Sequence, residues 1–164
     1  MERLWSPWRS QYVESLQNKQ QCEFCRILEK NDDESTFILL RKNHNFVVMN
    51  IYPYNSGHLL IVPYEHIDDI TVLPIEVVYE AADLINLSIK ALRNLWSPKG
   101  MNVGLNLGAA AGAGIHEHVH YHVVPRWTGD TNFMPVIGKT KIISQDLRIG
   151  YEHIKAEFHR MIKD

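Results

Sequence analysis

Long hydrophobic runs are missing from this 164-residue chain. No stretch approaches the roughly 18 consecutive apolar residues of a membrane span, and no charged, apolar, small-residue progression opens it as a secretory leader would. A cytoplasmic protein without a membrane partner is expected. Positive charge is scarce too: 17 Lys and Arg stand against 19 Asp and Glu, a formal net charge of −2. Binding to a nucleic-acid backbone normally needs a marked cationic excess, so no nucleic-acid partner is expected, although a small anion can still be held at a local site. Internal repeats and low-complexity segments are absent. Dinucleotide and P-loop fingerprints are absent as well, because "GAAAGAG" at 108–114 has neither the Lys-Ser/Thr of a Walker loop nor a helical pattern after it. Cysteine is limited to two residues, Cys22 and Cys25 in "CEFC". In a reducing compartment that spacing points to a metal knuckle or a redox pair before a structural disulfide.

What is present suggests one domain over 1–164, with an arm (1–21), a core (22–127) and a loop with a C-terminal helix (128–164). The arm carries Trp5 and Trp8, which pack either on their own core or on a partner chain. From Thr36, "TFILLRK", "NFVVMNIY" and "GHLLIVPY" are β-branched and apolar, divided by turn material, and predict an antiparallel meander. Pro74 suits a first helical position. Beyond it, Val78, Ala82, Ile85, Ile89, Leu92 and Trp96 recur at steps of three and four, which predicts one long amphipathic helix closed by Ser97-Pro98-Lys99-Gly100. "MNVGLNLG" and "IHEHVHYHVVP" alternate like strands. Leu147, Tyr151, Ile154, Phe158 and Ile162 mark a last helix, with Ser144 as its cap. Strands, one long helix, strands and a closing helix describe an α+β fold with a mostly antiparallel sheet.

Four of the nine histidines fall within seven residues, at His116, His118, His120 and His122. On a strand they would share one face, about 6.6 Å from one to the next, with Val119, Tyr121 and Val123 opposite. One alternative is a metal site, although in-line residues of one strand fan poorly around a tetrahedral ion and supply one or two ligands at most. The other is catalysis. With an unperturbed pKa of about 6.5, neutral imidazole can attack phosphorus. The small-residue loop before the row lets backbone N–H groups approach phosphate oxygens.

"HVHYHVV", His118 to Val124, resembles the signature of the histidine triad (HIT) family, His-φ-His-φ-His-φ-φ with φ apolar. The likeness extends over nearly the whole chain through "NIYPYNSGHLLIVPYEH" and "VVPRW". "LWSPWR" and "RWTGDTNFMPV" look most like the bacterial branch related to diadenosine tetraphosphate phosphorylases and to Fhit-type dinucleoside polyphosphate hydrolases. The resemblance implies a HIT-type fold with a five-stranded sheet, one long central helix and a C-terminal helix. It implies cleavage of an adenine dinucleoside polyphosphate at the α-phosphate, by phosphorolysis or hydrolysis, with His120 as nucleophile and His122 contacting phosphate and assisting the leaving group.

By the same resemblance Asn50 matches a ribose-binding residue and Asn106 a phosphate-contacting amide. Gly112, Ala113, Gly114 and Ile115 form the substrate loop. Fhit-like proteins carry a hydroxyl residue there; this loop has none, so its backbone N–H groups would serve instead. Related branches hold a structural zinc on residues that match Cys22, Cys25, His66 and His118. His58 is expected to support the triad by hydrogen bonding and His116 to be exposed. Family members are usually homodimers joined edge to edge, which implies the same here. The alternatives are a Hint-type nucleoside phosphoramidase, a zinc-stabilised nucleotide-binding module with little turnover, or a His-rich catalytic metal site.

Overall fold

A computed structural model describes residues 21–130 and 146–163. The strands follow the apolar runs: β1 (Ile38–Arg41), β2 (Asn45–Met49) and β3 (Leu59–Pro63) form the meander, and β4 (Gly100–Leu105) and β5 (Tyr121–Arg126) complete a five-stranded sheet of order β1-β2-β3-β5-β4. Every neighbouring pair is antiparallel. A seven-residue helix, α1 (Glu23–Glu29), precedes the sheet; α2 (Ile75–Trp96) links β3 to β4, and α3 (Leu147–Lys163) closes the chain. The α+β architecture with one long helix and a C-terminal helix is the one expected. Trp5, Trp8 and Ser144 lie outside the described residues.

β2 and β3 are buried along their whole length because both faces of the sheet are covered. Val47, Met49, Leu59, Ile61, Tyr121 and Val123 pack against α2 and α3 through Leu84, Leu92, Tyr151, Ile154 and Phe158. The alternate residues Phe46, Val48, Leu60 and Val62 pack with Phe24 and Ile27 of α1 and with Ile115. The short helix, which hydropathy did not announce, therefore roofs the second face. Seven residues are too few for a helix to stand alone, so α1 depends on this packing.

Of the row expected on the long helix only Leu92 is buried, and the rest of the buried face is built from other residues. Val77, Ala81, Leu84, Ser88, Ala91 and Leu92 are buried, whereas Ile85, Ile89 and Trp96 are flanking, half-buried residues and Ala82 is exposed. Small Ala81, Ser88 and Ala91 let the helix sit close to the sheet, and hydropathy underrates such residues. α2 is also fastened to the β1–β2 turn: Glu80 accepts the N–H groups of Asn43, His44 and Asn45 at 3.0, 2.8 and 2.8 Å. In α3, Tyr151, Ile154 and Phe158 are buried as expected, but Ile162 is 45% exposed. The first N–H groups of α3 are capped by Asp146, whose Oδ1 accepts from Arg148 and Ile149 at 2.8 and 3.2 Å.

The last correction concerns the histidine row. The expected strand from residue 115 begins only at Tyr121; His116 and Glu117 lie in a turn, His118 in a bend, and Val119 and His120 outside the sheet. The cause is a competing partner: the N–H of Val119 bonds to the carbonyl of Ile67 at 2.6 Å, beyond the end of β3. The chain thus enters the sheet only at Tyr121, three residues after His118 has been drawn toward α1.

Candidate functional site

Cys22 immediately precedes α1 and Cys25 lies in its first turn. His66 follows the end of β3, and His118, fully buried, comes down from the approach to β5. Their ligand atoms lie within 4.8 Å of one another. Cys22 Sγ is 3.5 Å from His118 Nδ1, Cys25 Sγ is 3.4 Å from His66 Nδ1, and Cys25 Sγ is 3.9 Å from His118 Nδ1. A tetrahedral ion with sulfur at about 2.3 Å and nitrogen at about 2.0–2.1 Å requires S···N edges of roughly 3.5 Å. The Cys22–His118 and Cys25–His66 separations match that edge, and the Cys25–His118 separation is longer.

The protonation chemistry agrees. His118 Nε2–H donates to the Pro63 carbonyl at 2.9 Å, which leaves the Nδ1 lone pair facing the sulfurs. Burial lowers the His118 pKa to about 4, so its ring is neutral as a ligand must be. Burial pushes the Cys22 thiol up to about 11, so a cation is needed to hold it as thiolate at neutral pH. Cys22, Cys25, His66 and His118 together can hold a metal ion.

Two residues on, His120 is 6% exposed. Its Nδ1–H donates to the carbonyl of His118 at 2.9 Å, so the lone pair of the neutral ring is on Nε2. Burial holds the ring below the ordinary imidazole value, against the lift from that carbonyl. His122, on β5 and paired across the strand with Leu60, has its ring 4.8 Å from that of His120.

The proton position on His122 follows from the hairpin loop after β2. Asn50 Oδ1 accepts the Tyr52 N–H at 2.9 Å, which orients the amide so that Nδ2 donates to His58 Nδ1 at 3.2 Å. The Tyr54 N–H donates to the same nitrogen at 3.0 Å. His58 Nδ1 is therefore unprotonated, and Nε2–H of His58 donates to His122 Nδ1 at 2.9 Å. Neutral His122 then carries its own proton on Nε2. One neighbour thus presents a lone pair and the other an N–H donor.

His58 stands where the sequence suggested, fully buried behind the triad. Gly57 makes that possible: its φ is +74°, and a Cβ there would come within 2.6 Å of Trp96 Cζ3. Two rings were not foreseen. Tyr54 stacks over His122 with centroids 5.7 Å and planes 19° apart, and lies 4.7 Å from His58. Phe24 lies 5.3 Å from the ring of His118 and 5.0 Å from that of His120. The position of Phe24 between the two cysteines is the sequence signal that could have found it.

Asn106 follows Leu105, the last paired residue of β4, whose partner is Tyr121. The next positions along that register are Asn106 and His120. The loop beyond turns through a short 3-10 segment, Ala109–Ala111, between Gly108 at φ +75° and Gly112 at φ +89°. Ala113 and Gly114 are half-buried. Ile115 buries its side chain in the cluster with Phe24, so only its backbone can meet a ligand. His116 is exposed, 3.6 Å from the Glu117 carboxylate.

The HIT domain model matches residues 31–129. The chain belongs to the HIT domain family. A HIT-family relative from Mycobacterium tuberculosis named AP-4-A phosphorylase is 40% identical over 174 aligned positions, covering 98% of this chain and 86% of the relative. A zinc-bound histidine triad family protein from Mycobacterium smegmatis superposes with a TM-score of 0.71 at 25% identity, over 87% of this chain and 96% of its own. At 16% identity the diadenosine triphosphate hydrolase of Plasmodium falciparum shares the fold with a TM-score of 0.63, over 96% of this chain and 98% of its own.

Proposed function

We propose that this HIT-domain protein is an enzyme that cleaves diadenosine tetraphosphate and similar dinucleoside polyphosphates at the α-phosphate, through a nucleotidyl group carried on His120. The observation that carries this reading is the pairing of His120, with its lone pair on Nε2, and His122, with its proton on Nε2. The 40% identical relative named AP-4-A phosphorylase supports both the substrate class and inorganic phosphate as acceptor.

His120 Nε2 attacks the α-phosphorus; the N–P bond forms as the bridging P–O bond breaks, and ATP leaves with the electron pair. Positive charge grows on the imidazole as it is nucleotidylated, and the His118 carbonyl that accepts its Nδ1–H stabilises that charge. The His122 Nε2–H donates to an oxygen of the phosphate chain. An oxygen of inorganic phosphate then attacks phosphorus, the N–P electron pair returns to Nε2, and ADP is released. Asn106 and the backbone N–H groups of Gly112, Ala113, Gly114 and Ile115 bind the phosphates, and Asn50 binds ribose with the donor and acceptor capacity that Tyr52 and His58 leave.

Zinc is the ion proposed for Cys22, Cys25, His66 and His118. The Cys2His2 donor set, its edge lengths and the zinc-bound mycobacterial relative support it. With four protein donors the site has no open position for a reacting water, so its contribution is to hold α1 against the sheet. We also place the protein in the cytoplasm, as a homodimer joined along β4. Among the described residues β4 pairs only with β5 and leaves Val103 46% exposed. Incubation with diadenosine tetraphosphate, with and without phosphate, tests the reaction. ADP plus ATP formed only with phosphate supports it; AMP plus ATP would reassign the acceptor to water, and no cleavage would refute the substrate.

A further inference from the structure

The metal cluster and the triad meet at two places. His118 offers its ring to the cluster while its carbonyl holds the Nδ1–H of His120 at 2.9 Å. Phe24 stands between Cys22 and Cys25 in the chain, is 4% exposed, and sets its ring 5.0 Å from that of His120 and 5.3 Å from that of His118. An ion that binds both cysteines fixes the residue between them. An empty site leaves α1, seven residues long, to hold its position by side-chain packing alone.

We propose that Phe24 is a positioning residue through which occupancy of the Cys22/Cys25/His66/His118 site governs the seat of the His120 ring. The phenyl ring touches no reacting atom. It closes one side of the imidazole, so that the ring hydrogen-bonded to the His118 carbonyl keeps one orientation and Nε2 keeps one direction of attack. The significance of that direction rests on the reading of His120 as nucleophile; the coupling itself does not. When the cluster is empty, α1 loosens, Phe24 withdraws and His120 rotates more freely and becomes more accessible.

The test uses the full chain without substrate. Zinc-loaded and chelator-stripped protein are treated with diethyl pyrocarbonate, and modification of His120 is timed by peptide mass spectrometry. Removal of zinc is expected to speed His120 modification several-fold, with far-UV circular dichroism preserved. Phe24→Leu, still loaded with zinc by colorimetric metal assay, is expected to show the fast rate already and to respond little to stripping. With diadenosine tetraphosphate its kcat should fall about tenfold while KM stays within about twofold, the split expected when orientation rather than binding is lost. Ile27→Val trims the same helix within the same cluster and should keep the parental rate and zinc response.

Equal His120 reactivity with and without zinc in the parent overturns the proposal. So does a Phe24→Leu variant that keeps the parental zinc response, or an Ile27→Val variant that matches Phe24→Leu, since either assigns the effect to general packing. A protein that proves inert toward diadenosine tetraphosphate but shows the expected modification pattern keeps this coupling and loses only the proposed substrate.

Discussion

His58 Nε2 lies 2.9 Å from His122 Nδ1, and the N–H groups converging on the other nitrogen of His58 fix which of the two rings donates. Replacing His58 with Phe keeps an apolar-sized ring but removes that donor. His122 then loses the contact that directs its proton to Nε2, and kcat is expected to fall about 10- to 100-fold, the scale seen when the hydrogen-bond partner that fixes a metal-bound histidine's tautomer is removed. Nitrogen NMR of the His122 ring should change from a single Nε2–H tautomer to a mixture. An unchanged tautomer with full activity would show that His58 only fills space.

Gly57 is expected to resist every side chain. Ala there would carry a Cβ at φ +74° and place it 2.6 Å from Trp96 Cζ3. Denaturant unfolding of Gly57→Ala should show a loss of about 2–3 kcal/mol, from the backbone strain and the overpacking together.

Glu80 holds the β1–β2 turn through four donors: three consecutive N–H groups and Asn45 Nδ2. Burial raises its pKa, but the bonds from Asn45, His44 and Asn43 outweigh burial and hold the carboxyl below its ordinary value. A depressed folded pKa contributes stability above the unfolded value and loses it as pH falls through the folded one. Glu80→Ala should therefore cost about 2 kcal/mol at pH 7, the usual scale for hydrogen bonds to a charged group. The difference from the parent should shrink as unfolding is measured below about pH 4.5, the ordinary carboxyl value.

Cys25→Ser removes one sulfur from the cluster that reaches both His66 and His118. The variant should bind less than one zinc per chain. Its melting temperature should fall by roughly 10 °C, corresponding to about 3 kcal/mol for a domain of this size. Equal melting of zinc-loaded parent and variant would remove the structural role assigned to the metal.

The sheet and both long helices were legible because their apolar residues recur at strand and helix periods. The buried face of α2 was legible only at Leu92, since half of it is Ala81, Ser88 and Ala91, whose value is their small size rather than their hydropathy. α1 was hidden for a related reason: seven residues carry too little periodicity, and its stability comes from what it touches. The four cluster residues were named from a family likeness and the structure brings them together. The single-strand geometry assumed for the histidine row did not hold, because alternation cannot reveal that Val119 bonds to Ile67 rather than to a neighbouring strand. The tautomers were beyond sequence altogether, since they depend on carbonyls and N–H groups of Pro63, His118 and Tyr54.

The central claim is that His120 Nε2 becomes covalently bonded to phosphorus. The most direct measurement is peptide mapping by mass spectrometry after the protein is mixed with diadenosine tetraphosphate without phosphate and quenched in alkali, where an N–P bond to histidine survives. The account predicts an adenylyl group on the peptide containing His120, located on that residue, and its disappearance on addition of phosphate with release of ADP. Steady cleavage with no adduct on His120, or an adduct on another residue that turns over at the catalytic rate, would contradict it.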